Sequence, residues 1–73
     1  MQTKQDSITF FLSFCVEMYK NAHALSGAQA FETLSSSGAL RFLEENYEPI
    51  HTQSAQWILE EIEEFLNTQN ASK

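Results

Sequence analysis

The sequence predicts an all-α protein, a compact four-helix arrangement with long first and last helices and two short middle ones. Three observations carry that expectation. Apolar residues recur at three- and four-residue spacings from Ile8 to Leu66. Residues that start or stop helices (Ser26, Gly38, Pro49) fall at the breaks between those runs. The chain has 73 residues, 42% of them apolar, with six Phe, two Tyr and one Trp. That is room for one domain, and it is too rich in aromatics for disorder. Residues 1–73 are therefore read as a single helical domain, with an ordered core of about 7–67 and a polar, frayed tail at 68–73.

The first helix is expected from Ser7 to about Asn21. Its polar residues Thr9, Ser13, Glu17 and Lys20 recur at steps of four, four and three, making one narrow stripe. The rest of Ile8–Tyr19 is apolar or aromatic, Phe10, Phe11, Phe14, Cys15 and Met18 among it. An ordinary amphipathic helix hides an arc of somewhat over ~100°, and this one asks for more cover than that. Asp6 or Ser7 is placed to accept a hydrogen bond from the first-turn N–H groups. A Phe-rich run also suits a strand, but the four-residue polar spacing opposes it.

The second helix, about Gly27 to Ser36, opens on Ser26 and Gln29 at capping-box spacing. Phe31 and Leu34 supply its apolar contacts, Ser35-Ser36-Ser37 weakens its end, and Gly38 supplies the left-handed turn that closes it. In the third, Leu40, Leu43 and Tyr47 keep helical spacing, and Pro49 is expected to end it. The fourth is the clearest. Ala55, Ile58, Leu59, Ile62, Phe65 and Leu66 form one stripe, Glu60, Glu61, Glu63 and Glu64 fill a solvated acidic face, and His51 or Thr52 is the expected cap.

Ten acids stand against Lys4, Lys20, Arg41 and Lys73, a formal net charge of −6. Such a chain repels phosphate backbones, which argues against nucleic acid as a partner. Two short helices meeting near Gly38 give a helix-turn-helix regulator as an alternative, but the second of them offers only Arg41 among Glu44 and Glu45. Cys15 is the only cysteine, so no intrachain disulfide is possible, in keeping with a reducing interior. The first six residues lack the pattern of a secretory signal. Ile8–Tyr19 is too short to span a bilayer. The expected location is cytoplasmic, with no membrane partner.

An enzyme would have to draw on Cys15 with His23 or His51. Cys15 shares the apolar surface of Phe11 and Tyr19, where a thiol is usually an inert small hydrophobe. No Cys-x-x-Cys or His-x-x-x-His pair is present to hold zinc from neighbouring turns. The expectation is therefore no catalysis, no cofactor and no metal. A small-ligand or enzymatic domain using Cys15 or His51 is the weaker alternative.

The surplus of apolar surface points elsewhere. Phe10, Phe14 and Met18 turn away from the Phe11-Cys15-Tyr19 line, and Trp57 lies beside the stripe of the last helix rather than on it. Three small neighbours can hardly cover all of this, and an exposed aromatic patch on a soluble domain is a binding surface. Phe10, Phe14, Met18 and Trp57 are the candidate partner-binding residues. Tyr47 and His51 join them if His51 projects into a groove rather than only completing a turn.

The spaced elements Phe14-Cys15-Val16-Glu17-Met18-Tyr19-Lys20, Leu25-Ser26-Gly27, Gly38-Ala39-Leu40 and Tyr47-Glu48-Pro49-Ile50-His51-Thr52, followed by Ile62-Glu63-Glu64-Phe65-Leu66, resemble a small bacterial family catalogued as a domain of unknown function. The likeness runs from about Ile8 to Leu66. Ser54 departs mildly from the glycine often expected there. The resemblance implies a stand-alone helical domain without established activity. It also implies a gene lying beside one for an ADP-ribosyltransferase-like protein, as in a toxin–antitoxin or effector–immunity pair. Together these readings predict an interaction module that binds a protein partner, a second copy of itself, or both.

Overall fold

The computed structural model describes the backbone of residues 4–71 and the side chains of 5–68. Those residues are all-α, with no strand among them. Five helices are present where four were expected: α1 Lys4–Ala22, α2 Gly27–Ser36, α3 Ala39–Glu45, α4 Tyr47–Ile50 and α5 Ala55–Ala71.

The extra helix comes from the stretch around Pro49. Chain direction changes at Asn46 (φ −112°), whose side-chain amide donates to the Phe42 carbonyl at 2.8 Å and closes α3. Pro49 does not end a helix. It sits inside the single turn α4, where first-turn N–H groups have no intrahelical acceptor and a missing one costs nothing.

His51 and Thr52 finish α4 rather than starting α5. The His51 Nδ1–H donates to the carbonyls of Tyr47 and Glu48 at 2.9 and 3.0 Å, and the Thr52 hydroxyl reaches the Pro49 carbonyl at 3.4 Å. The cap of α5 is Ser54, whose hydroxyl accepts the Trp57 N–H at 3.1 Å.

The outer boundaries shift as well. α1 is described from Lys4 onward, which puts Asp6 in its first turn, favourable to the helix dipole. α5 continues through Thr68–Ala71, past the expected limit, because Asn67 to Ala71 contains no glycine or proline to stop it. Of the expected frayed tail, residues 72–73 lie outside the described residues.

The Ser26–Gln29 capping box is formed in both directions, at 3.1 and 3.0 Å. Gly38 takes the left-handed conformation (φ +88°) between α2 and α3. The loop after α1 turns through Ala24 (φ +53°), while the Leu25 N–H bonds the Lys20 carbonyl at 3.0 Å.

One core joins the helices. Phe11, Cys15 and Tyr19 face inward from α1. They meet Ala30 and Leu34 of α2, Ala39 and Leu43 of α3, Ile50 of α4, and Ile58 and Ile62 of α5. α1 packs against α2, α3 and α5 and is the organising helix. Ring contacts add direction: Phe11 meets Tyr47 edge-on at 5.4 Å, and Phe42 stacks on Phe65 at 4.9 Å.

Candidate functional site: the outer face of α1

The neighbouring helices do not close around α1. Phe10 is 78% exposed and Phe14 46%. Their rings, with Phe11, Tyr47 and His51, line an open groove of about 670 Å³ whose polar rim is Ser7, Ser13 and Glu17. A second hollow of about 340 Å³ lies across the helix, lined by Leu12, Val16, Phe31 and Leu40, with Thr9, Ser13 and Glu17 at its edge. Ser13 and Glu17 border both hollows, so the polar stripe read from the sequence forms a low divide between two apolar troughs.

The far wall of the first groove is held by hydrogen bonds and stacking. The His51 ring lies on Tyr47 at 4.2 Å, nearly parallel. Both acceptors of its Nδ1 are carbonyl oxygens, so Nδ1 carries the hydrogen and Nε2 of the neutral ring is left as an acceptor. His51 thus completes a helix end and lines the groove at once. The two roles weighed for it do not compete.

Four of the six candidate partner-binding residues, Phe10, Phe14, Tyr47 and His51, meet in this groove. Met18 does not: it is half-buried and packs against the core, so it does not belong to the outward surplus. Trp57, 38% exposed on the first turn of α5, lines neither hollow. Phe31 was missed. Expected as a core contact of α2, it stands 54% exposed, and small, fully buried Ala30 takes the inward position beside it. The signal was available, since Ala30 and Leu34 sit four apart and define the inner line of α2 without Phe31.

The groups considered for chemistry are placed differently. Cys15 is fully buried, and that burial pushes its thiol up to about 12. The structure puts His23 with Glu63, Nε2 to Oε2 at 2.5 Å, and lays its ring on Tyr19 at 4.3 Å. Burial and the Glu63 charge both push the Tyr19 hydroxyl above its ordinary value. Glu63 therefore leaves the uniformly solvated acidic face expected of the last helix. Half-buried like Glu61, it ties α5 to the end of α1, while Glu60 and Glu64 stay exposed. No sequence signal joins His23 to a residue forty positions away. Among the described residues, no three His, Cys, Asp or Glu side chains come together as a metal site would require.

These features define a small all-α domain with one buried core and an open aromatic face. The family model for "Protein of unknown function (DUF3791)" matches residues 10–69, and the chain belongs to that family. No curated protein and no solved structure matches it. No helix of the described residues is long and apolar enough to cross a membrane.

Proposed function

We propose that this chain is a non-catalytic, cytoplasmic interaction module whose α1 outer face binds protein. The observation that carries the reading is the exposure of Phe10 and Phe14 beside a groove walled by Tyr47 and His51. Leaving such rings in water forfeits part of the roughly 1.5–3 kcal/mol that full burial of a Phe side chain contributes, more at Phe10 than at Phe14, and clustered aromatics are what binding hot spots are made of.

Two observations favour binding over turnover. The one thiol is sealed and held protonated, and His51 spends Nδ1 on backbone carbonyls. Arg41, the cation that a helix-turn-helix reading depends on, stands beside Glu44 and Glu45 on an acidic chain, which favours protein over nucleic acid. The family resemblance adds an ADP-ribosyltransferase-like protein as the partner to try, with this chain in the antitoxin or immunity role.

The test is co-expression with the protein encoded beside its gene, followed by size exclusion. The reading expects co-elution with that protein or self-association, either one abolished by Phe14→Asp. A chain that stays monomeric throughout and retains no partner overturns it.

A further inference from the structure

We infer that α1 is a self-complementary surface, and that its occupant is a second copy of this chain packed antiparallel along it with the two-fold axis at Ser13. This rests on the reading above that α1 presents a binding face, and it names what lies there.

The pattern of α1 supplies the register. Lys4–Ala22 is centred on Ser13, and Asp6, Ser13 and Lys20 follow one another at seven-residue steps, so all three lie along one line of the helix. Reversing a second α1 about Ser13 sets Asp6 of each copy opposite Lys20 of the other, twice by symmetry, where Asp6 shares Lys20 with Glu17 of that helix, 3.3 Å from its ammonium. The same operation sets Thr9 opposite Glu17, a hydroxyl donor facing a carboxylate. A two-fold also keeps each trough on its own side of the Ser13 line, so the groove of Phe10 and Phe14 in one copy faces the same groove in the other. The aromatic surfaces of the two copies thus close over one another, and the antiparallel helix dipoles are favourably aligned.

Charge distinguishes this occupant from others. α1 carries Lys4 and Lys20 against Asp6 and Glu17 and is neutral, so the whole net charge of −6 lies in the rest of the chain. Two copies can therefore meet along α1 without bringing their acidic surfaces together, whereas a strongly basic partner would be drawn to α5. Area sets the strength. At roughly 200 Å² a ring, the exposed parts of Phe10, Phe14 and Phe31 offer about 350 Å² per copy. The aliphatic and hydroxyl surface beside them adds to that, and the interface stays at or below the small end for a specific complex. The result is a weak dimer that forms as concentration rises.

Sedimentation equilibrium of the full chain from about 10 µM to about 1 mM tests this, with a monomer–dimer equilibrium expected inside that range. Phe10→Asp, at a position open to solvent, raises the dissociation constant by about 30-fold or more. Asp6→Lys alone and Lys20→Asp alone each weaken the dimer about fivefold, and the two together restore it to within about threefold. In a parallel pair residue 6 would face residue 6 and no such rescue would occur. Ser13→Cys forms an intermolecular disulfide on oxidation, with buried Cys15 left unreacted. A wild type that stays monomeric to about 1 mM, a dimer indifferent to Phe10→Asp, or a charge exchange without rescue overturns the inference. A monomer that still holds a different protein through Phe10 and Phe14 would overturn it while leaving the interaction reading standing. A dimer with the expected rescue that captures no other protein would support it and remove only the heterologous partner.

Discussion

Phe10 and Phe11 share a helix and a residue type and differ by one position, yet Phe11 is sealed against Tyr47 while Phe10 stands open to water. One residue on an α-helix is a rotation of about 100°. The line Phe11-Cys15-Tyr19 falls where α2, α3 and α5 converge, and the line through Phe10 and Phe14 falls where they part. Hydrophobicity alone does not place a side chain inside so small a domain. The number of neighbours available to cover each sector of the central helix decides it.

The widest gap between the two faces is in stability. Phe11→Ala should cost about 3–5 kcal/mol, a large part of the total for a domain of this size, because it removes a packed ring and leaves a cavity. Phe10→Ala should change stability by no more than about 0.5 kcal/mol, since the ring it deletes is already in water. Urea titrations of both variants, run dilute enough to keep the chain monomeric, compare them directly. Similar losses would mean that the two faces do not differ as described.

Cys15 sharpens the comparison from the buried side. Its folded-state thiol sits near 12 against an ordinary value of 9.0, so the unfolded chain loses its proton first as pH rises. The associated stability is intact below about pH 9 and is lost progressively between about 9 and 12, up to about 4 kcal/mol. The raised Tyr19 hydroxyl acts in the same direction. Denaturation midpoints measured against pH should fall through that window. They should fall less steeply in Cys15→Ala, and a thiol reagent at pH 8 should leave the folded wild type unmodified.

Much of the fold was legible because it is local. The capping box at Ser26, the turn at Gly38 and the stripe of the last helix each depend on residues within a few positions, and each is found where the sequence placed it, except that Ala55 at the head of the stripe is exposed. What failed was competition between neighbouring helix ends. His51 and Thr52 lie close enough to α4 to close it and too far from α5 to cap it, which only the length of α4 reveals. The candidate site was half legible. A surplus of rings on α1 is countable, but whether Met18 or Phe31 stays outside depends on which helix passes over it, and the His23–Glu63 contact spans two such helices.

The Ser54 cap gives a smaller effect near the exposed Trp57. Ser54→Ala should cost about 1 kcal/mol in thermal unfolding, against a few tenths for Thr52→Ala, whose hydroxyl makes only a 3.4 Å contact. Equal losses would return the cap to Thr52.

The smallest expected effect belongs to neither face and acts through the backbone where α1 ends. Ala24 and Gly38 both adopt positive φ, +53° and +88°, and both turn the chain out of a helix. An alanine there carries a steric cost that glycine does not, of order 1 kcal/mol, partly offset by the greater freedom of glycine when unfolded. Ala24→Gly should therefore raise stability by about 0.5 kcal/mol, a gain of roughly 2–4 °C in Tm. Gly38→Ala should lower it by about 1 kcal/mol. The penalty at Gly38 is one of conformation rather than space, because an added Cβ would meet the Phe65 ring at an ordinary 3.9 Å. Opposite signs in the two melts would set the scale of pure backbone effects in this domain, and the losses at Phe11 and Cys15 can then be judged against it.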